Sequence, residues 1–366
     1  MYVLPERYVY GLLFLGCRCE FGPKVRNIDD SNRVLGLCKT MPEQKFAEKA
    51  GEILFEKGRA AVSLARERVL RENVEHAPLR EALRCFVEDW NDVLHPALVS
   101  LACEAVGGRS EATVKVGAAL VLLAGGADIH DDVIDESIIK GAEQTVFGKF
   151  GRDLAILAGD AILLEGAYML HEACEDLEFA KKNAILDLVK RAISEISSAE
   201  AAEASLRGKI DIPKQKYLNI IHHKVAAGEA ATRIGAILGD GTPEEVETLG
   251  EYGRVYGVLM SMRDEFIDVF EQDELSNRAE KEVLPLPIIV TLADESKKPA
   301  LLQLVGGEIT NKKIEEIVDI ATNSSESAAL VSEMKWMVDQ IISKINNLRS
   351  CKEELGLLAI ATLEDL

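Results

Sequence analysis

Apolar residues recur at helical spacing over most of this chain. Phe46, Ala50, Ile53, Leu54 and Ala61 follow one another at intervals that place them on one face of a helix running toward Leu70. Pro42-Glu43 supplies the proline and acid of a helix start. The same pattern predicts helices over 79–87, 94–106, a long one capped by Ser110, and others over 152–173, 179–207 and 214–238. Gly107-Gly108 is a stop signal, and Gly239-Asp240-Gly241-Thr242-Pro243 is a loop with Thr242 as cap and Pro243 at the first helical position. The next helix runs toward Asp273, and shorter ones are predicted over 300–305, 312–321, 325–346 and 351–360. The segment 152–173 is apolar nearly all round and reads as a core helix; 137–145 reads as a loop. Alternating β-branched and aromatic blocks are scarce. The pattern therefore predicts an all-α, single-domain bundle of long helices over residues 42–366. Residues 1–41 hold Pro5, Gly16, Gly22, Pro23 and a polar run without helical period, and read as an N-terminal extension.

Composition narrows the function. Hydrophobic residues make up 48% of the chain, enough for a large core. The formal net charge of −20 lacks the basic footprint of a nucleic-acid binder and disfavours an anionic membrane. It would also repel a diphosphate unless local cations or metal intervene. The seven cysteines are scattered without zinc-type spacing, which fits reduced thiols and a cytoplasmic protein. No apolar run approaches bilayer-spanning length, and the hydrophobic stretch at 11–17 is too short to direct export.

Chemistry concentrates in Gly125–Asp135, which follows the apolar run 116–124. On a helix Asp131 and Asp135 share a face, and Asp128, Asp132 and Glu136 widen the patch. Crowded carboxylates beside apolar residues repel and resist desolvation unless a hard cation such as Mg²⁺ neutralises them. A second cluster, Arg263-Asp264-Glu265-Phe266-Ile267-Asp268, repeats the spacing after the run 256–260. Facing one another in a bundle, the two could hold several Mg²⁺ ions and a diphosphate. Glu315-Glu316-Ile317-Val318-Asp319 has the same spacing in an ordinary amphipathic helix and reads as a surface face. Apolar context, not spacing, is what separates the first two from it.

With these residues the chain resembles the trans-isoprenyl diphosphate synthases, or polyprenyl synthetases, over roughly 43–345. His130-Asp131-Asp132-Val133-Ile134-Asp135 matches the family's first Asp-Asp-x-x-Asp motif, and Asp264-Glu265-Phe266-Ile267-Asp268 the second, with Glu for its second Asp. Phe150-Gly151, Gly159-Asp160-Ala161, Lys224 and Gly235–Gly239 match further landmarks. The resemblance implies a helical bundle around a central apolar cavity, and a homodimer, with a heteromer as the alternative. It implies several Mg²⁺ ions, with Asp131, Asp135 and Asp264 as ligands and Asp132, Glu265 and Asp268 ligating or supporting. It implies an allylic prenyl diphosphate as substrate, contacted by Lys224 and by Lys140; Lys281 and Arg263 are further candidates.

The chain departs from the family on one side. The basic motif that binds isopentenyl diphosphate in elongating members corresponds to 90–96, where Asp92, Val93 and His95 stand in for its cations. A second arginine after the first acidic motif becomes Gly141, while the first survives as a cation in Lys140. Other cations, such as His95 or Lys149, could rebuild the second site. The pattern implies a prenyltransferase that ionises an allylic diphosphate and passes the prenyl group to an acceptor, either isopentenyl diphosphate or a different one. A terpene-synthase-like lyase and a non-catalytic subunit of a heteromeric synthase are the alternatives. Gly126 and Ala127, upstream of the first motif, leave room for a tail of C15 or longer.

Overall fold

The computed structural model describes residues 46–140, 143–364 and 366. The Pro42-Glu43 start, the 1–41 extension and Gly141 lie outside the described residues. The described chain is helical, as the periodicity predicts. Its elements are α1 (Phe46–Arg71), α2 (Ala77–Asp89), α3 (Leu94–Ala105), α4 (Val114–Ile134), α5 (Val146–Phe150), α6 (Arg152–Ala173), α7 (Phe179–Ala204), α8 (Lys214–Lys224) and α9 (Ala226–Leu238). There follow α10 (Pro243–Ile267), α11 (Gln272–Lys281), α12 (Leu286–Thr291), α13 (Lys298–Val305), α14 (Asn311–Thr322), α15 (Ser325–Ile345) and α16 (Lys352–Ala361).

Thr242 caps α10 as predicted. Its hydroxyl accepts from the Glu245 amide while the Glu245 carboxylate accepts from the Thr242 amide, a reciprocal capping box. Ser110 does not cap α4 directly; a single 3₁₀ turn, Ser110–Thr113, leads into it. The expected 214–238 helix is broken at Val225, which leaves Lys224 in the last turn of α8. The expected 137–145 loop contains a small antiparallel hairpin, β1 (Ile139–Lys140) with β2 (Glu143–Gln144), pairing Lys140 with Glu143. The control cluster is a solvated face, with Glu315, Glu316 and Asp319 exposed on α14.

Close helix contacts frame the site. α9 lies between α3 and α10, and α4 lies along α6. A Cβ on Gly235 of α9 would collide with the Val99 carbonyl oxygen of α3. A Cβ on Gly126 would meet Leu163 and the Gly159 carbonyl of α6 at 2.6 and 2.9 Å. Gly126 therefore serves α4–α6 packing and does not open the tail path; Ala127, exposed beside it, remains free to border one.

α6 is not the buried core helix expected. Leu157, Leu164 and Tyr168 are 52%, 72% and 54% exposed, a stripe along the side turned away from α4. Its other side, including Ile162 and Met169, is buried. By length and composition alone α6, and α4 with the turn before it, are long and apolar enough to cross a membrane. The α4 stretch is largely packed inside the bundle.

The glycine contacts give a stability test. Gly235→Ala should cost about 1–3 kcal/mol through overpacking against α3. Gly356→Ala, in α16 with no atom near its would-be Cβ, should be neutral or stabilising by about 0.4–1 kcal/mol. Urea unfolding midpoints of the two variants check this ordering.

Candidate active site

The two acidic motifs end helices. The Asp135 amide donates to the Asp131 carbonyl at 2.8 Å and the Asp268 amide to the Asp264 carbonyl at 2.9 Å, closing the last turns of α4 and α10. The helix dipole is negative at that end, so aspartates there lack the backbone stabilisation they would enjoy at an N-terminus. Both turns open on one cavity of about 210 Å³, between α4, α7, α8, α10 and α11.

Asp131, Asp132, Asp135, Glu200, Glu203, Asp264, Glu265, Asp268, Glu271, Glu274 and Glu282 line it, with four cations, Lys140, Arg207, Lys224 and Arg278. The fixed cations are already committed. Lys140 reaches back from the hairpin to Asp128 at 2.6 Å and Asp132 at 3.3 Å. Arg207 pairs with Asp135 at 2.5 Å. Lys224 lies between Glu203 and Glu200, 3.2 Å from the latter. Arg278 joins Asp268 and Glu265. Lys224 also sits at a helix C-terminus, where a cation is favoured.

Burial pushes Asp132 up to about 7, with Asp128 and Asp131 adding repulsion against the pull of Lys140. Burial, then Asp131, raises Asp135 to about 6. Burial raises Asp268 to about 7 and Glu200 and Glu282 to about 8. Asp264 stands well above its usual range through burial and the nearby Asp268. Glu203 goes the other way, held low by Lys224 against its burial.

One oxygen of Asp131 and one of Asp264 are buried without a hydrogen-bond partner. Orphaned anionic oxygens on opposite walls of a cavity this acidic fit hard divalent cations, which take carboxylate and phosphate oxygens together. Asp131, Asp132, Asp135, Asp264 and Asp268 are the lining aspartates that could hold them.

Other predicted residues lie differently. Glu265 lines the cavity, but its oxygens accept from Tyr217 Oη at 2.9 Å, Arg278 Nη2 at 3.0 Å and the Leu286 amide at 2.6 Å. It braces α10 to α8, α11 and α12 and has little capacity left as a ligand. Arg263 is buried and is not among the lining residues. Lys281 also lies outside the lining, its ammonium 3.4 Å from the Glu136 carbonyl. His130 of the first motif turns to α6, 3.3 Å from Asp160.

Sequence reasoning missed Arg207, Arg278, Glu200 and Glu203. Glu200 and Glu203, three apart among Ala and Ser residues, carried a usable signal; the two arginines carried none.

The 90–96 stretch does not form a basic pocket. Trp90 stacks on Phe86 at 5.2 Å, its Nε1 is 3.3 Å from the Val121 carbonyl, and both rings press on Gly125. Asp92 is buried and accepts from the Leu94 and His95 amides at 3.1 and 3.2 Å and pairs with His95 Nδ1 at 2.7 Å. Burial opposes a charged His95, yet Asp92 raises its pKa. Lys149 sits 3.1 Å from Cys85 Sγ, outside the cavity lining.

Fold and site together define a helical bundle in which the ends of α4 and α10 share one acidic cavity. The polyprenyl synthetase family model matches residues 77–321, and the chain belongs to that family. It is 31% identical over 250 residues to a short chain isoprenyl diphosphate synthase from Methanothermobacter thermautotrophicus, covering 65% of this chain and 76% of that protein. It is 26% identical over 286 residues to a geranylgeranyl diphosphate synthase from Methanosarcina mazei, covering 77% and 88%. In fold it is similar to geranylgeranyl pyrophosphate synthetase from Pyrococcus horikoshii, with a TM-score of 0.78 at 22% identity over 88% of this chain and all of that one.

The raised carboxylates set a pH dependence. An unfolded chain releases these protons near pH 4, whereas the folded cavity holds them to about pH 6–8. The folded state thus binds more protons between these limits, and without divalent ions its stability falls as pH rises from about 4 to 8. Mg²⁺ should raise Tm more at pH 8 than at pH 5.5, because only deprotonated carboxylates gain from it. An equal Mg²⁺ effect at both pH values in thermal melts would contradict the assignment.

Proposed function

We propose that this chain binds an allylic prenyl diphosphate between α4 and α10, expels the diphosphate, and transfers the prenyl group to an acceptor other than isopentenyl diphosphate. The observation that carries the reading is the meeting of two desolvated acidic clusters in one cavity, each with an orphaned carboxylate oxygen. The consumed 90–96 stretch, where Asp92 and His95 satisfy one another, supports an acceptor of different chemistry.

Asp131, Asp132, Asp135, Asp264 and Asp268 would hold several Mg²⁺ ions, which when bound supply Lewis-acid neutralisation of the diphosphate leaving group. Lys224 and Lys140 present ammonium groups to the diphosphate from two sides of the cavity. Glu203 and Glu200 orient Lys224; Asp128 and Asp132 orient Lys140. The tail of a C15 or longer substrate runs along the α4 face above Asp131, past Ala127 and Ala124, small residues at helical spacing from it.

The chain acts as a homodimer in this reading. The exposed stripe of Leu157, Leu164 and Tyr168 is apolar surface of the kind that a second copy covers.

Diphosphate release from geranylgeranyl diphosphate with Mg²⁺ tests the activity. Asp131→Ala or Asp264→Ala should lower it by about a hundredfold or more, as expected where leaving-group charge loses its support; Glu316→Ala should change nothing. Release with no added acceptor and a hydrocarbon or alcohol product would instead make the chain a lyase. Elongation of isopentenyl diphosphate would sink the acceptor reading, and no release under any condition would favour a non-catalytic subunit. Leu164→Glu should convert the dimer to monomer in analytical ultracentrifugation, and an unchanged sedimentation profile would remove α6 from the interface.

A further inference from the structure

A second group of metal-capable side chains lies away from the acidic cavity. His222 and His223 are exposed in the last turn of α8, and Glu195 faces them from α7. One ligand atom from each falls within 4.8 Å of the other two. The two rings have centroids 5.5 Å apart at 72°. Two imidazoles on one tetrahedral zinc-class ion, with metal–nitrogen bonds of about 2.0–2.1 Å, would place their centroids about 5 Å apart. The rings therefore stand near the separation such an ion requires.

Two orienting contacts are independent of that spacing. His223 Nδ1 is 2.6 Å from the Asn219 carbonyl oxygen. A carbonyl can only accept, so Nδ1 carries the proton and Nε2 keeps its lone pair, the outer-shell arrangement of metal-bound histidines. Arg254 donates to both Glu195 oxygens at 2.8 and 3.2 Å and to the His222 carbonyl at 2.6 Å, tying the carboxylate to the histidine turn. Arg254 also pairs with Glu229, which offsets its charge beside a cation. Each Glu195 oxygen retains a second lone pair for a ligand. Burial, then Arg254 and His223, lower the His222 pKa, which favours the neutral imidazole.

We propose that Glu195, His222 and His223 form a binding site for one divalent transition-metal ion of the zinc class, bridging α7 and α8. Two nitrogens and one carboxylate oxygen favour such an ion over Mg²⁺, which selects oxygen ligands. The ion would fasten the two helices that carry Glu200, Glu203 and Lys224 into the acidic cavity. The proposal stands on these donors and does not depend on the prenyl-transfer reading.

Co²⁺ titrated into the full chain in excess Mg²⁺ tests it, followed by the visible absorption of tetrahedral cobalt. One Co²⁺ per chain should give the band, and one equivalent of Zn²⁺ should abolish it. His222→Ala/His223→Ala should lose the band and weaken Zn²⁺ binding at least about tenfold, with helical circular dichroism unchanged. Asp131→Ala/Asp264→Ala should keep the band. No band in the wild-type chain, or a band that survives in the double-histidine variant or depends on the aspartates, overturns the proposal.

Discussion

The structure turns on a charge imbalance that the fold alone does not relieve. Eleven carboxylates share a cavity of about 210 Å³ with four cations, and each of those cations is held by acidic neighbours. Burial makes the imbalance costly, and its placement at the C-terminal ends of α4 and α10 adds the unfavourable end of two helix dipoles. Such a cavity rests part-protonated, or neutralised by cations. The contacts around it make sense as a frame for that site. Glu265 spends its charge bracing α10, Arg278 holds Asp268, and Lys140 is brought back by a turn that places Glu136 at a positive φ. The close α4–α6 and α3–α9 contacts keep these walls from relaxing apart.

The same physics distinguishes the two halves of the expected substrate site. On the α4–α10 side, Asp131 and Asp264 keep oxygens that no protein group satisfies. On the other side Asp92 accepts from the Leu94 and His95 amides and pairs with His95 Nδ1, and Trp90 fills space against Gly125. Asp92 is buried against His95 and would repel a diphosphate. That contrast favours a changed acceptor over a general loss of function.

Much of this was legible in the sequence because helical spacing and apolar context are local. The helices, the Thr242 cap, the two acidic clusters and the surface role of Glu315 follow from residues within a few turns, whereas the meeting of Asp131 with Asp264 came from the family resemblance. What was not legible depends on tertiary packing. Arg207 and Arg278 look like ordinary surface cations until α7 and α11 bring them to Asp135 and Asp268. Glu265 looked like a ligand because spacing cannot show that Tyr217 and the Leu286 amide will claim it. The apolar girth of α6 suggested a core helix; only the packing shows that one side lacks a neighbour. The break at Val225 has no proline or glycine of its own. Gly257 of α10, whose would-be Cβ lies 2.7 Å from the Val225 side chain, marks how closely the break is packed.

The central claim is that the α4 and α10 clusters act together on one diphosphate. Electron paramagnetic resonance of Mn²⁺ bound with inorganic diphosphate tests it most directly. The account predicts at least two spin-coupled Mn²⁺ ions per chain, with the coupling lost in either Asp131→Ala or Asp264→Ala. A single isolated Mn²⁺, unaffected by removal of Asp264, would contradict it.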